Sequence, residues 1–363
     1  MVMNHTRCLK ESKEPLARRY ALALLDLDGV VYRGDDPVAH ASEGIAKAQS
    51  DGMRPSYTTN NPSRFPDTVA KQLQGFAVNA QGSDIITSAI VAARMLTHHL
   101  HSGAKVLIVG AEHLRDEVRK VGFEIVDDAR EHPDAVLQSW HKDLSFNELA
   151  QAAYAIEQGA QYYVTNRDMT IPREQGIAPG NGALQLPIIE TTGKHPLDSA
   201  GKPESAMYDE ARMLFSRDGN PIPGDTCLPV GDRLDTDIEA ANRGDYDSLV
   251  VLTGVATPRM IMTASVIQRP SYIARDLLGL DMAHPAVNRI RMGEWRCRDC
   301  VVRLDGKRLE LDASTSAVHA HDGLDALRAA SCVAWEAMDS GVAAEEIDTS
   351  VIEQALQPTA SED

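Results

Sequence analysis

Short apolar runs alternate with amphipathic stretches along most of the chain. The first apolar run, residues 20–27, is followed by a helix-like stretch over 41–49 and by a strand-like run over 55–59. Such runs are typical of strands buried on both faces of a parallel sheet, and their alternation with helices is typical of βαβ units. Further strands are predicted at 105–110, 135–137, 161–165, 228–230 and 248–253, and further helices at 67–73, 112–121, 147–158, 203–215 and 237–242. The pattern therefore predicts an α/β fold.

The alternation has two boundaries that divide the chain into three parts. Residues 83–195 contain their own strands and helices, which predicts a self-contained insertion in a core formed by 1–82 and 196–280. After residue 280 the pattern changes to two strands, 294–303 and 308–311, joined by a hairpin turn at Asp305-Gly306. An amphipathic helix is predicted over 322–338. Residues 281–363 are therefore expected to form a small C-terminal ββα module.

Charge and cysteine content limit the partners and the compartment. The 363 residues carry 36 Lys plus Arg against 53 Asp plus Glu, a formal net charge of −17. This balance argues against nucleic-acid or anionic-membrane partners, because both require a positive field. Five cysteines, odd in number and mostly scattered, indicate a reduced chain. With no signal-peptide pattern and no apolar run of about 18 residues, a cytoplasmic protein is expected.

Candidate chemistry begins at the end of the first predicted strand, in Asp26-Leu27-Asp28-Gly29. Carboxylates at positions i and i+2 share one side of an extended chain, so both can face one ligand at the carboxyl edge of a parallel sheet. Taken alone, the two aspartates are equally well explained as solvent-facing residues of a strand-to-loop turn. The remaining polar motifs of the chain decide between these interpretations.

Three further polar motifs follow in order, each at a predicted strand end or helix start. They are Thr58-Thr59-Asn60-Asn61, then Gly201-Lys202-Pro203, then the run from Gly231-Asp232 to Thr236-Asp237. Each one has an ordinary explanation as a turn, a surface lysine or a solvated acidic loop. Chance does not readily explain four such elements in this order, so we interpret them as parts of one functional site.

The four motifs resemble those of the haloacid dehalogenase superfamily. Asp26 to Gly29 matches motif one, Thr59 motif two, Lys202 motif three, and the run from Asp232 to Asp237 motif four. The Thr-Asn-Asn and GDRLDTD strings are similar to subfamily IIA, the NagD-like or p-nitrophenylphosphatase-like group. The resemblance implies a Rossmann-like core with a C2-type α/β cap between motifs two and three. Over its whole length the chain most resembles actinobacterial glycerol 3-phosphate phosphatases.

The resemblance also implies a mechanism with Mg²⁺ as cofactor. The Asp26 carboxylate, the Asp28 main-chain carbonyl and the Asp232 carboxylate would bind the metal, and Asp237 would orient its waters or Lys202. Asp26 would be the nucleophile that forms an aspartyl-phosphate. Asp28 would be the general acid and base. Thr59, the Asn60 amide and Lys202 would bind the transferring phosphoryl group.

Substrate choice is expected to depend on the cap and on the loop after motif two. Asn166 and Asp168 end a predicted cap strand, and Asn61 and Arg64 follow motif two; all four are candidate substrate contacts, although turn formation or a salt bridge explains each of them as well. The residues 179–182 are predicted to form a tight loop over the substrate. A large cap favours a small-molecule phosphate ester, and glycerol 3-phosphate is the substrate that the resemblance implies.

Other interpretations of function stay open at this point. The ester could be a sugar phosphate, a nucleotide or phosphoglycolate. A phosphomutase or phosphotransferase shares the aspartyl-phosphate step, and a non-enzymatic metabolite-binding protein would require the loss of a catalytic group. Cys297 and Cys300 have zinc-knuckle spacing without a second pair, so reduced structural thiols are favoured. Trp335 is expected to pack a small core, and docking or homodimerisation through the C-terminal module is a hypothesis.

Overall fold

The computed structural model describes residues 8–173, 175–216 and 219–357. Its strands are β1 Leu22–Asp26, β2 Tyr32–Arg33, β3 Asp36–Pro37, β4 Arg54–Thr59, β5 Ile85–Thr87, β6 Lys105–Val109, β7 Glu124–Val126, β8 Ala135–Gln138, β9 Gln161–Val164, β10 Thr170–Arg173, β11 Gly176–Pro179, β12 Asp198–Ser199, β13 Cys227–Gly231, β14 Leu249–Val251, β15 Tyr272–Ala274, β16 Val287–Arg291, β17 Glu294–Cys297, β18 Cys300–Asp305 and β19 Arg308–Asp312.

The helices are also numbered in chain order. They are α1 Leu16–Arg19, α2 Ala41–Ser50, α3 Pro66–Gly75, α4 Ser88–His99, α5 Glu112–Lys120, α6 Phe146–Glu157, α7 Asn181–Thr192, α8 Ala206–Leu214, α9 Glu239–Arg243, α10 Pro258–Met262, α11 Thr315–Val318, α12 Asp325–Asp339 and α13 Ser350–Ala355. No described helix is both long enough and apolar enough to cross a bilayer.

The chain divides into two compact units. The first contains the described parts of 1–56, 76–78 and 215–363, and the second contains the described parts of 57–75 and 79–214. The three-part division into 1–82 with 196–280, 83–195 and 281–363 remains a prediction, since contact density groups the C-terminal residues with the first unit. All described residues of the predicted insertion, 83–195, lie within the second unit.

A parallel sheet organises the first unit. Within this unit the strand order includes β15-β14-β13-β1, and β1 pairs with β13 in parallel from Leu22↔Cys227 to Leu25↔Val230. The residues Leu22–Leu25 are all buried, as expected for a strand covered on both faces. The carboxyl ends of β1 and β13 therefore meet at one edge of the sheet, where the first and fourth motifs begin.

The C-terminal module contains more strands than predicted. It is a four-stranded antiparallel sheet of order β16-β17-β18-β19. The single strand predicted over 294–303 is two strands separated by a turn at Arg298, whose φ of 46° reverses the chain. β16 was not predicted because its last four residues are polar or exposed and lack an alternating pattern. The hairpin expected near Asp305-Gly306 is present between β18 and β19.

One hydrophobic core joins this module to the parallel sheet of the first unit. Buried residues of the sheet and its helices pack with buried residues of the module in a single cluster that includes Ile238, Val250, Ile261, Ile273, Val302, Leu309, Leu327 and Trp335. Trp335 is 1% exposed, and its indole N–H donates to the Ile261 carbonyl at 2.9 Å. The predicted packing role of Trp335 is confirmed. The module is a structural part of the first unit.

The second unit is built on its own parallel sheet, of order β12-β9-β8-β6-β7. The strands predicted near 105–110, 135–137 and 161–165 are present as β6, β8 and β9. Two predictions at its edges are wrong in their bounds. α7 begins at Asn181, so the expected loop 179–182 is shorter, and α8 begins at Ala206 instead of residue 203. The N–H and carbonyl of Lys202 form hydrogen bonds with the Asn60 side chain instead of helical hydrogen bonds, so α8 begins later in the chain than predicted.

Candidate active site

Three carboxylates converge at the carboxyl edge of the first unit's sheet. Asp26 ends β1, Asp232 directly follows β13, and Asp237 lies in the π-helical turn Leu234–Ile238. One carboxylate oxygen from each residue lies within 4.8 Å of the others. Asp232 and Asp237 are buried and Asp26 is half-buried. The structure therefore brings together the carboxylates that the sequence assigned to motifs one and four.

A loop after β14 fixes the orientation of Asp232, and sequence reasoning missed it. The Val255 N–H donates to Asp232 Oδ2 at 2.7 Å, and the Ala256 N–H donates to the Asp232 carbonyl at 2.8 Å. A Cβ added at Gly254 would lie 1.7 Å from Asp232 Oδ2. The loop follows a predicted strand at the same sheet edge, so the rule that located Asp232 could also have located Gly254.

The turn after Asp26 is also adapted to a crowded site. Gly29 has a φ of 81°, which a residue with a Cβ rarely adopts, and a Cβ there would lie 2.4 Å from Asp232 Oδ2. The Gly29 N–H donates to the Tyr32 carbonyl at 2.8 Å, and the Thr253 hydroxyl donates to the Gly29 carbonyl at 2.6 Å. Asp28, within this turn, has an exposed side chain.

Asp237 supports the loop that carries Asp232. Its Oδ2 accepts from the Arg233 N–H at 3.1 Å, and its own N–H donates to the Arg233 carbonyl at 3.1 Å. A Cβ at Gly231 would lie 2.1 Å from the Asp237 Cβ, so only glycine fits beside it. The predicted role of Asp237 in orienting the waters of the metal or Lys202 remains a prediction, and its proximity to Asp26 and Asp232 also makes it a candidate ligand.

The predicted phosphate-binding residues lie in the second unit. Thr59 ends β4, and its Oγ1 accepts from the Asn61 N–H at 3.1 Å. Lys202 is 2% exposed; its N–H donates to Asn60 Oδ1 at 2.9 Å, and its carbonyl accepts from Asn60 Nδ2 at 3.0 Å. The structure therefore brings motifs two and three together through the side chain of Asn60.

The predicted cap contacts differ in their surroundings. Asp168 accepts from Asn60 Nδ2 at 3.1 Å, and Asn166 Nδ2 donates to the Asn60 carbonyl at 2.9 Å, so both touch motif two. Asn61 is exposed, and its Oδ1 accepts from the main-chain and side-chain groups of Ser63, as in a turn. Arg64 is half-buried in the same loop.

The carboxylate cluster fits a hard divalent cation. Mg²⁺ prefers oxygen ligands and is commonly held by a few carboxylates together with water and substrate phosphate. Two of the three carboxylates are buried, and close burial of like charges is unfavourable unless a cation compensates them. Asp26 and Asp232 were predicted as ligands. A contribution of the Asp28 carbonyl remains a prediction.

Cys297 and Cys300 are buried free thiols. Cys297 Sγ contacts Asp325 Oδ1 at 3.3 Å, and burial raises the pKa of Cys300 to about 11. These thiols are therefore protonated and pack within the module.

Comparison with known proteins places this site in a family. Residues 23–124 match the model of haloacid dehalogenase-like hydrolases, and residues 199–280 match a second model of the same kind. The chain is 36% identical over 327 residues to the D-glycerol 3-phosphate phosphatase of Mycobacterium tuberculosis, covering 89% of this chain and 88% of that enzyme. The chain belongs to the haloacid dehalogenase-like hydrolases.

Further relatives and solved structures are similar over 72% to 91% of this chain. An acid sugar phosphatase of Staphylococcus aureus is 31% identical over 260 residues, which is 72% of this chain and 96% of that protein. The crystal structure of the Mycobacterium tuberculosis glycerol phosphate phosphatase with calcium matches with a TM-score of 0.79 at 35% identity, covering 91% and 92% of the two chains. A 4-nitrophenylphosphatase of Thermotoga maritima matches with a TM-score of 0.66 at 26% identity, covering 73% and 98%. The predicted fold class and subfamily are confirmed.

Proposed function

We propose that this haloacid dehalogenase-type phosphatase is a Mg²⁺-dependent phosphomonoesterase that forms a phosphoaspartate on Asp26. The observation that carries the proposal is the convergence of Asp26, Asp232 and Asp237, with the exposed Asp28 two residues after Asp26. Asp26 and Asp232 would hold the metal, together with the main-chain carbonyl of Asp28. When bound, Mg²⁺ supplies the positive charge that offsets repulsion between a carboxylate and a phosphate ester.

The chain's own residues then carry out two displacements. An Asp26 carboxylate oxygen forms a bond to phosphorus while the bond from phosphorus to the ester oxygen breaks, and Asp28 donates its proton to the leaving alkoxide. In the second step Asp28 takes a proton from a water molecule, whose oxygen attacks phosphorus. The bond between phosphorus and Asp26 breaks, and inorganic phosphate is released with both aspartates restored.

Binding of the phosphoryl oxygens is proposed for Thr59, the Asn60 main-chain N–H and Lys202. A lysine ammonium and hydrogen-bond donors stabilise the negative charge that is shared among these oxygens during transfer. The local arrangement of Asn60 and Lys202 in the second unit and the family's motif order support this assignment. The net charge of −17 makes such a local cationic group necessary, since the molecule as a whole repels anions.

Glycerol 3-phosphate is the substrate we favour. The similarity to the Mycobacterium tuberculosis enzyme extends over 89% of this chain, whereas that to the acid sugar phosphatase extends over 72%. A sugar phosphate is the second candidate because of the latter relatives. A phosphate-release screen over glycerol 3-phosphate, sugar phosphates, nucleotides and phosphoglycolate distinguishes these esters. A phosphomutase or phosphotransferase would convert substrate without equivalent release of phosphate.

Replacement of the nucleophile tests the mechanism. Asp26→Asn is expected to lower kcat by at least about 10⁴-fold, because an amide cannot form the phosphoenzyme. Phosphate release is measured with saturating Mg²⁺ and again after chelation, which should abolish turnover until Mg²⁺ is restored. Asp35→Asn, at an exposed aspartate nearby in sequence, is the matched control and should keep wild-type rates. Near wild-type turnover by Asp26→Asn, or beryllofluoride bonded to another residue, would reject the assignment.

A further inference from the structure

The Asn60 side chain makes a two-point clamp on the main chain of Lys202. Asn60 Oδ1 accepts from the Lys202 N–H at 2.9 Å, and Asn60 Nδ2 donates to the Lys202 carbonyl at 3.0 Å. The same Nδ2 also donates to the carboxylate of Asp168, at 3.1 and 3.2 Å to its two oxygens. A Cβ at Gly201 would lie 2.7 Å from Asn60 Oδ1, so the preceding residue must be glycine for the clamp to close.

Only an amide side chain satisfies this arrangement. An amide presents an acceptor oxygen and two donor hydrogens at one planar end. Both hydrogens of Asn60 Nδ2 are directed to chain partners, Lys202 and Asp168, and its oxygen is directed to Lys202. The side chain is therefore occupied by the protein and has little capacity left for a substrate. A carboxylate of the same shape would instead oppose the Lys202 carbonyl and Asp168.

A second layer of buried amides fixes Asn60 in turn. Asn166 Nδ2 and the Ser88 hydroxyl both donate to the Asn60 carbonyl, at 2.9 and 2.7 Å. The Asn166 carbonyl accepts from Asn181 Nδ2 at 2.9 Å and from Gln185 Nε2 at 2.8 Å. Asn166, Asn181 and Gln185 are buried. The Asn60 and Asn166 carbonyls thus each accept two side-chain hydrogen bonds, and a shift of either residue would leave a buried polar group unsatisfied.

From this geometry we infer that Asn60 and Asn166 are positioning residues, with Asn60 acting through Lys202 and Asn166 acting through Asn60. This role replaces the substrate contact expected for the Asn166 side chain, and it rests on the proposed function of Lys202. Side chains of α7 bind the Asn166 carbonyl, the Asn166 side chain binds the Asn60 carbonyl, and the Asn60 side chain binds the main chain of Lys202. These contacts form one hydrogen-bonded path from α7 to Lys202. This path holds Lys202 in the position that phosphoryl transfer requires, so its loss is expected to lower kcat.

A double-mutant cycle tests the inference. Asn60→Ala is expected to lower kcat on the order of 100-fold and Lys202→Ala on the order of 1,000-fold, with KM changed less than about threefold by Asn60→Ala. Because Asn60 acts through Lys202, the double variant should match Lys202→Ala within about threefold. A multiplicative loss near 10⁵-fold, or a large rise in KM at unchanged kcat for Asn60→Ala, would overturn the inference.

Two further variants separate positioning from loss of stability. Asn242→Ala removes another buried amide, which donates to the carbonyls of Ile267 and Arg269 at 2.7 and 3.0 Å, and should leave kcat within about threefold. Asn166→Ala should lower kcat about tenfold, since Ser88 still holds the Asn60 carbonyl. If Asn60→Ala does not fold, the cycle is repeated with Asn166→Ala and Lys202→Ala.

A readout independent of turnover distinguishes failure of the clamp from failure of the proposed function. In Asn60→Ala the main-chain N–H of Lys202 loses its acceptor, so hydrogen exchange of a peptide spanning residues 200–206 should speed at least about tenfold. Unchanged exchange would reject the clamp even in an active enzyme. Absence of phosphate release by the wild-type protein, with faster exchange in Asn60→Ala, would reject the proposed function alone.

Discussion

Asp232 is oriented by a glycine-containing loop as well as by its own strand. The Val255 N–H fixes Oδ2 of this carboxylate, and the main chain at Gly254 passes so close that no side chain fits between them. Groups that orient a ligand commonly matter to metal affinity nearly as much as the ligand itself. The Gly254 position is therefore part of the proposed metal site, although it donates no ligand atom.

Gly254→Ala is expected to weaken Mg²⁺ binding by about 10- to 100-fold, because the added Cβ would lie 1.7 Å from Asp232 Oδ2 and must displace it. Calorimetric titration of the protein with Mg²⁺ measures the affinity directly. Gly75→Ala is the matched control, since a Cβ there meets nothing within 4 Å. Equal affinity in the two variants would contradict the positioning of Asp232 by this loop.

At the residue scale, the sequence predicts the polar side chains that lie at the carboxyl ends of parallel strands. Asp26 and Asp232 were located because carboxyl ends of neighbouring parallel strands meet at one edge of a sheet. The partner of the Asn60 side chain was not predictable in this way. Its contact with Lys202 joins residues 142 positions apart, and neither residue carries a local signal for the other.

At the scale of elements, α12 is where the C-terminal module joins the parallel sheet of the first unit. Trp335 lies on this helix within the shared core, and Arg328 Nη2 donates to the Ile273 carbonyl of β15 at 2.8 Å. The helix was predicted from its amphipathic pattern, but its packing partner was not. Apolar periodicity shows that a face is buried and carries no information about which element covers it.

Trp335→Ala is expected to lower the free energy of unfolding by about 3–5 kcal/mol, because it leaves a large cavity in the shared core. Urea denaturation followed by circular dichroism gives this value. Met292→Ala, at a position 72% exposed in the same module, should change it by less than about 0.5 kcal/mol. A loss below 1 kcal/mol for Trp335→Ala would show that the module does not stabilise the first unit.

At the scale of the whole molecule, a buried histidine links stability to pH. His284 is buried beside Tyr272, and its Nε2 lies 2.9 Å from the Gly279 carbonyl. In the neutral ring this nitrogen carries the hydrogen and donates it to that carbonyl. Its Nδ1 has no hydrogen-bond partner among the described residues. Burial lowers the pKa of His284 from 6.5 to about 4, since its effect together with the nearby charge of Arg328 outweighs that of the hydrogen bond to the Gly279 carbonyl, which raises the pKa.

The direction in which stability changes with pH depends on whether the folded or the unfolded chain binds more protons at His284. Between about pH 4 and pH 6.5 the unfolded chain binds a proton at His284 that the folded chain does not, so stability falls as the pH falls. We expect this residue alone to account for about 3 kcal/mol over that range. His284→Gln, whose amide can still donate to Gly279, should flatten the dependence in urea titrations at pH 4.5 and pH 7. An identical slope in both proteins would exclude His284 as the cause.

The position of the tryptophans has a practical consequence for spectroscopy. Of the three in the chain, Trp335 lies in the shared core and Trp295 donates from Nε1 to Glu336 at 3.2 Å, whereas Trp140 belongs to the second unit. Intrinsic fluorescence of the protein is thus weighted towards one end of the polypeptide. In a Trp140→Phe background the emission would report melting of the first unit alone, and the difference from the parent spectrum would isolate the second.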